Sequence, residues 1–337
     1  IIPSYRNDLS REVDLFEEIA RVYGYNNIKS NHNFSSSSNC FIEDDLIVES
    51  KIRNILSLNG FNEHYSNSLY SESDVLVNEK FKPVELQNPL SQDMKYLRNN
   101  LLPGLLKTAS YNEKRNQEKL KIFEIGSITR FNMKKYNKSD EYRMLGVLFS
   151  LTQDNHWKHT IKNDIYIFKG EIANLFQNLN IQVDYKYENN SILINIDKKN
   201  IGEMHIIDKD ILNQYDIKMP LAYCYINIDK IKNNKNILKY EKFSSFPSIS
   251  RDISIQVKKS IANENIVKTI NENGGKNLIN VNLFDLYSDS DINSDNHSLA
   301  YSLTFQSNEN TLTDKEIEKS MKKIISALKN EYKAIQR

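Results

Sequence analysis

The sequence predicts mixed α and β structure, an α+β or mixed α/β fold, and three observations carry that prediction. Helical and strand-like periodicities alternate along the chain with long excursions between them. From about residue 244 the pattern runs β-α-β-β-α, the order of a split βαβ, ferredoxin-like module whose last strand is short or missing. The nine glycines stand at 24, 60, 104, 126, 146, 170, 202, 274 and 275 and never bracket a G-x-G. Neither a dinucleotide fingerprint nor a phosphate loop can therefore be written. At 337 residues the chain has room for two or three domains and a sizeable core.

The opening stretch, PSYRNDLSREVDLFEEIARVYGY over residues 3–25, reads as an extended entry and then a helix. Pro3 favours extended backbone around it. Leu9, Val13, Phe16, Ile19, Ala20 and Tyr23 recur at helical spacing, and Gly24 is a left-handed stop. The segment KSNHNFSSSSN is polar, rich in Ser and Asn, and aperiodic, which marks 29–43 as a linker after a first module at 1–28.

A second block covers 44–235. DDLIVESKIRNILSLNGF predicts a helix with Leu46, Val48, Ile52, Ile55, Leu56 and Leu58 on one broad apolar side and Gly60 at its end. The Asn88–Pro89 turn leads to YLRNNLLPGLLKTASYNEKR and then to the strand-like LKIFEIGSITRF. RMLGVLFSL reads as a buried strand, and YCYINIDKI alternates like a strand. Between them Ile172, Leu175, Phe176 and Leu179 have the spacing of an amphipathic helix.

The third block, 244–337, opens with Ile253, Ile255 and Val257 alternating with Ser254 and Gln256, a half-buried strand. NENIVKTINENGG gives a short helix closed by Gly274, and INVNLFDLY a strand with a phase slip near Leu283–Phe284. SLAYSLTF alternates Leu299, Tyr301, Leu303 and Phe305 against small or polar residues. The last helix is the clearest element: Thr313 and Glu316 form a capping box, and Ile317, Met321, Ile324, Leu328, Tyr332 and Ile335 make one apolar stripe.

Composition narrows the function classes. Lys+Arg 45 against Asp+Glu 44 means that any polyanion-binding surface comes from local clustering, not from global charge. Cys40 and Cys224 are far apart and form no Cys-x-x-Cys, which argues against a disulfide framework or a cysteine zinc site. No apolar run approaches a membrane span and no signal-peptide pattern opens the chain, so a cytoplasmic protein without a membrane partner is expected. The start, Ile-Ile-Pro without an initiator methionine, is that expected of a fragment.

Four of the five carboxylates in the opening stretch pose the first site question. Asp14, Glu17 and Glu18 lie three and four apart on one helix face, and Asp8 sits just before that helix. Clustered carboxylates repel, and a hard divalent cation relieves that repulsion. Spacing alone nevertheless favours a solvated face, because Arg21 follows Glu17 by four and Glu18 by three. A catalytic acid pair lacks a neighbouring His or nucleophile. His156 and His159 flank Trp157 without an H-E-x-x-H or a second ligand cluster, and read as packing and surface.

The last helix carries Lys315, Lys319, Lys322, Lys323, Lys329, Lys333 and Arg337, diluted by Asp314, Glu316, Glu318 and Glu331. By itself that is a solvated helix. Joined to a sheet bearing Tyr287, Tyr301 and Phe305, it has cations for phosphate and aromatics for stacking, the makings of an RNA surface. Tyr287 is the first candidate for base contact. Arg251 is the second, although it could instead pair with Asp252 or Asp285.

At this point three motif groups, in order, resemble the C-terminal part of the β subunit of bacterial phenylalanyl-tRNA synthetase. PSYRNDLSREVDLFEEIARVYGYNNI resembles the end of that subunit's small DNA-binding-fold-like domain. LQNPLSQDMKYLRNNLLPGLL, IFEIGSITRF and FKGEIANLF are similar to its synthetase-like core. FPSISRDISIQV and LFDLYSDSDINSDNHSLAYSLTFQSNENTLTDKEI resemble its ferredoxin-fold anticodon-binding domain. The resemblance implies the end of a small α/β domain at 1–28, a non-catalytic class II synthetase-like core at 44–235 and an anticodon-binding domain at 244–337.

The resemblance also reverses the reading of the carboxylates: it implies that Asp8, Asp14, Glu17 and Glu18 hold a magnesium ion shared with the α subunit. It implies a phenylalanine–tRNA ligase subunit active only with that α subunit, in an α2β2 tetramer that binds tRNA(Phe). ATP is then used by the complex and not bound by this chain. The residues agree, since SITRFN places Asn132 two after Arg130, where a class II ATP site needs an acid, and no late Gly-rich strand can be written. Two departures stand out. Asn296-His297 replaces the family's Gly-Lys before Ser298, which removes one expected cation, and nothing matches the family's N-terminal tRNA-binding and editing domains. The competing reading is a freestanding RNA-binding scaffold without ligase activity. A broad exposed apolar surface on 85–130 is the feature expected to favour the subunit.

Overall fold

The computed structural model describes residues 2–29, 44–77, 81–117, 119–135, 139–155, 158, 160–188, 190–231, 243–287 and 295–336. The chain divides into two compact units, residues 1–43 and 44–337. From residue 30 the expected linker lies outside the described residues, as do Cys40, His156, Trp157 and His159.

The first unit contains helix α1 (Glu12–Tyr23), with Asp14 closing a capping box at its start and Gly24, at φ 91°, ending it. Its apolar stripe is present but uncovered: Val13, Phe16, Ile19, Val22 and Tyr23 are all exposed.

Among the described residues the second unit has two main sheets beside two small ones of three and two short strands, and the largest has seven strands. In chain order these are β1 (Asn62–Glu63), β2 (Lys121–Phe131), β3 (Ser139–Ser150), β4 (Asp184–Glu188), β5 (Ser191–Ile196), β6 (Lys199–Ile206) and β7 (Leu221–Asn227). They lie side by side as β1-β2-β3-β7-β6-β5-β4, antiparallel except for the β1–β2 pair. Helices α2 (Asp44–Leu58) and α4 (Ile165–Asn178) cover one face, packing Ile52, Leu56, Phe168, Ile172 and Phe176 on Phe123, Ile125, Val147 and Phe149. Helices α3 (Leu102–Glu113) and α5 (Lys209–Gln214) cover the other, with Leu105, Leu106 and Leu212 against Ile122, Leu148 and Tyr223. Covering on both faces explains why RMLGVLFSL reads as a continuous apolar run. It also corrects YCYINIDKI: the alternation is one of polarity, whereas β7 is buried on both sides along nearly its whole length. Leu58 is a second correction, since it is 88% exposed and off the apolar side of α2. Glu49 fastens α2 to the sheet, accepting hydrogen bonds from Arg143 Nε at 2.7 Å and Nη2 at 2.8 Å. That pairing holds the Glu49 carboxyl below its usual range.

The α3 face contains a buried ion pair that several segments converge on. Arg98 Nη1 donates to Glu124 Oε1 at 2.6 Å, with the two residues 5% and 0% exposed. Ser66 Oγ donates to Glu124 Oε2 at 2.7 Å, and Arg98 Nε donates to the Ser127 carbonyl at 2.8 Å. A Cβ at position 126 would stand 2.2 Å from Arg98 Nη2, so Gly126 is required for the guanidinium to lie flat on β2. Gly104 does the same at the start of α3, where a Cβ would meet Ser66 Oγ at 2.5 Å. Asn99 Nδ2 donates to the carbonyls of Val75 and Phe81, and Asn100 Oδ1 accepts from the Leu102 amide. LRNNLLPGLL and FEIGSI are thus two halves of one buried polar junction.

The smaller sheet has the βαββαβ order β8 (Ile249–Lys258), α6 (Asn263–Gly274), β9 (Leu278–Tyr287), β10 (Asn296–Phe305), α7 (Asp314–Tyr332) and β11 (Ile335–Gln336). Its strands lie as β9-β10-β8-β11. The last strand, which the sequence leaves short or missing, is present with two residues, and the phase slip appears as a register shift between Leu283 and Asp285. The capping box is present, with Thr313 N donating to Glu316 Oε2 at 2.9 Å. Two expectations move by a residue or a turn. Gly275, at φ 77°, ends α6, while Gly274 is buried inside it. Lys333 takes the left-handed conformation that stops α7, so Ile335 leaves the helical stripe for β11.

Arg98→Ala should destabilise the second unit by about 3–5 kcal/mol, because it strands a fully buried carboxylate. Replacing both partners, as Arg98→Met with Glu124→Leu, should cost less than the single change. Urea unfolding followed by tyrosine fluorescence checks this, and equal losses for the single and double variants would discount the ion pair.

Candidate functional site

Of the four candidate carboxylates of the first unit, Asp8 and Glu18 are held by arginines. Arg6 Nη2 lies 2.7 Å from Asp8 Oδ2 and 2.5 Å from Glu18 Oε1, and Arg21 Nη2 lies 2.5 Å from Glu18 Oε2. These partners hold the Asp8 and Glu18 carboxyls below their usual range. Asp14 Oδ2 accepts the amides of Ser10 and Arg11, so it serves the start of α1. Glu17 is exposed. Among the described residues no three acidic, His or Cys side chains converge as a metal-binding group. The donor set is hard oxygen, which suits magnesium. As arranged, however, the Arg6 guanidinium occupies the space between Asp8 and Glu18. Arg6 is the residue that spacing along the helix missed, because it precedes the helix and folds back by twelve positions.

On the main sheet Arg130 projects from β2, its guanidinium 3.3 Å from the Phe81 ring centroid and 5.1 Å from that of Tyr142. Asn132 Nδ2 donates to Asp140 Oδ2 at 2.6 Å, which ties both into the β2–β3 hairpin. In 85–130, Leu90 and Tyr111 are the exposed large apolar residues among those described. The broad apolar surface expected there is therefore not formed, since Leu102, Leu105 and Leu106 turn inward with α3. Exposed apolar side chains cluster instead on α1.

The smaller sheet separates its two RNA candidates. Ile253, Ile255, Leu299, Tyr301, Leu303 and Phe305 face α6 and α7. Tyr301 and Phe305 are 0% and 1% exposed, which corrects their reading as stacking platforms: strand alternation puts them with the leucines. Tyr287 pairs across from Ser298 on the second face and is 53% exposed. Arg251 pairs across from Leu303, on the helix side, and its Nη2 lies 2.7 Å from Asp314 Oδ1 in the first turn of α7. Its partner is thus neither Asp252 nor Asp285. His297 lies across from Val257, and burial pushes its pKa down, so it does not restore the cation missing before Ser298. The lysines of α7 line an open groove with Asn273 of α6, in which Lys315, Lys319, Lys322 and Lys323 outnumber Glu318.

Comparison with known proteins resolves what these pieces belong to. Residues 43–228 match the model of the phenylalanyl tRNA synthetase beta chain CLM domain. The chain belongs to the phenylalanyl-tRNA synthetase beta chain family. Residues 244–337 match the ferredoxin-fold anticodon binding domain and residues 1–25 the tRNA synthetase B5 domain. The phenylalanine–tRNA ligase beta subunit of Pseudoalteromonas translucida is 30% identical over 345 residues, covering 99% of this chain and 43% of the relative. That of Lactobacillus acidophilus is 33% identical over 348 residues, with coverages of 98% and 43%. The chain therefore spans less than half the length of these curated relatives. A solved structure of pyrrolysyl-tRNA synthetase from Desulfitobacterium hafniense aligns over 56% of this chain and 67% of its own at 15% identity, with a TM-score of 0.45. Among the described residues, no helix is long and apolar enough to cross a membrane.

The two faces of the smaller sheet make separable predictions. Arg251→Ala removes an exposed ion pair and should shift stability by less than about 1 kcal/mol. Tyr287→Ala should leave stability within about 0.5 kcal/mol and weaken binding to an anticodon stem-loop. Thermal melts and filter binding on the same variants read both effects. Weakened RNA binding in Arg251→Ala alone would reverse the assignment.

Proposed function

We propose that this chain is the C-terminal portion of the β subunit of phenylalanine–tRNA ligase. In this reading it is a non-catalytic part of an enzyme that works only with its α subunit. The α subunit attaches phenylalanine to tRNA(Phe) at the expense of ATP, in an α2β2 assembly in the cytoplasm. The observation that carries the reading is the succession of three family modules in one chain, matched over nearly its full length.

The chemistry of the core supports a class II synthetase-like fold without the reaction. Arg130 is stacked on aromatic rings, and the position two after it is an amide already bonded to Asp140. The Arg98–Glu124 junction, which sits under the same sheet face, is sealed by its own hydrogen bonds and serves packing. The contribution of this chain is then to position a partner and to bind RNA through residues 244–337. Lysines of α7 supply phosphate contacts through counterion release, and Tyr287 supplies a stacking surface.

Asp8, Asp14, Glu17 and Glu18 would hold a magnesium ion at the boundary with the α subunit. The ion would supply charge neutralisation for these carboxylates. For this chain the proposal requires Arg6 to release Asp8 or Glu18, since its guanidinium already neutralises both.

Two measurements test the reading. ATP–pyrophosphate exchange with phenylalanine should be absent with this chain alone, and aminoacylation should appear when a cognate α subunit is added to the β polypeptide. Phenylalanine-dependent exchange by the chain alone would refute the non-catalytic role. The double change Glu17→Ala, Glu18→Ala should weaken magnesium binding and association with the α subunit in calorimetric titration while α1 stays folded by circular dichroism. Unchanged association would return these residues to a solvated helix face.

A further inference from the structure

The α3 face of the main sheet holds a cavity of about 290 Å³, at the small end of the range that ligand sites occupy. Ile128, Met144, Tyr223 and Tyr225 give it apolar walls, Arg130 gives it one cation, and Glu203 and Asp208 place two acids elsewhere in its lining. That cation has no carboxylate within ion-pair distance among the described residues. Asp140, its direct cross-strand neighbour, is the natural partner. Its oxygens are instead held by Lys135 Nζ at 2.5 Å and Asn132 Nδ2 at 2.6 Å.

The rest of the Arg130 environment fixes the guanidinium without satisfying it. The Phe81 ring covers its flat face at 3.3 Å, and Nε is buried with no acceptor among the described residues. Burial also pushes its pKa down, the mark of a desolvated charge without a counterion. Stacking leaves the donors along the edge of the guanidinium to bond in its own plane, the geometry that takes a carboxylate in two parallel hydrogen bonds. At another wall of the cavity Glu203 accepts from Ser191 Oγ at 2.6 Å and from Tyr225 OH at 3.0 Å. Its Oε1 also lies 3.9 Å from His205 Nδ1, and its charge, which the hydroxyls do not cancel, repels an anion from that end.

We propose that this cavity is a binding site for a small aromatic carboxylate, with the carboxylate on Arg130 and the ring between Met144 and the two tyrosines. The site is a pocket of this chain alone and does not rest on the ligase reading. Binding completes the hydrogen bonding of a half-buried cation whose Nε is buried, which a structural role for Arg130 does not do.

The test titrates the folded chain with 3-phenylpropanoate and, separately, with phenethylamine, which has the same ring and the opposite charge. Saturable binding of the carboxylate is expected by NMR line broadening and calorimetry, with the amine at least about ten-fold weaker. Arg130→Gln should weaken the carboxylate about ten- to hundred-fold. Ile206→Trp, at the exposed rim of the cavity, should block binding with an unchanged melting curve. If Arg130→Gln does not fold, the Ile206→Trp result decides between site and no site. No saturable binding, equal binding of the amine, or unaltered binding in Ile206→Trp would overturn the proposal.

Discussion

The buried pair of Arg98 and Glu124 is the constraint that much of the larger unit is arranged around. Two charges out of water cost several kcal/mol each unless every remaining donor and acceptor is met. Here Ser66 and the Ser127 carbonyl meet them, and two glycines clear the space. This requirement binds three stretches that are distant in sequence: the segment around Ser66, the turn before α3 and the middle of β2. Once they meet, the direction of α3 is set, and with it the apolar packing of Leu105 and Leu106 on the sheet.

On the same face most of the polar groups are committed to one another. Glu124 is spent on Arg98, Glu203 on two hydroxyls, and Asp140 on Lys135 and Asn132. Arg130 is left stacked beside a small cavity, with no ion-pair partner among the described residues. A surface whose acids are bonded in this way has few carboxylates left free for acid–base chemistry.

The smaller sheet and its helices divide their labour by strand alternation. Apolar residues and two large aromatics face the helices, while hydroxyls and amides face away, where Ser250 and Thr304 or Ser254 and Ser298 pair across strands. The lysines lie on a third surface, along α7. An RNA held by both would have to reach from the helix groove to the sheet edge, so affinity and base preference are physically separate here.

Periodicity and turn chemistry in the sequence determined most of the elements: both long helices of the larger sheet's first face, the capped final helix and the slip in β9. These are local properties, set by the spacing of apolar residues and by capping groups a few positions apart. Three motif groups in order also determined the family. What tertiary structure alone decided is pairing. That Arg6 folds back onto Glu18, that Arg251 finds Asp314 and not its neighbours, and that Tyr301 and Phe305 are core could not be read from spacing. Nor could the inward turn of the leucines in LRNNLLPGLL, or the cation left over beside Asp140. Each depends on which of several equally close charges or faces wins when strands and helices are brought together, and that choice is made by burial across the whole unit.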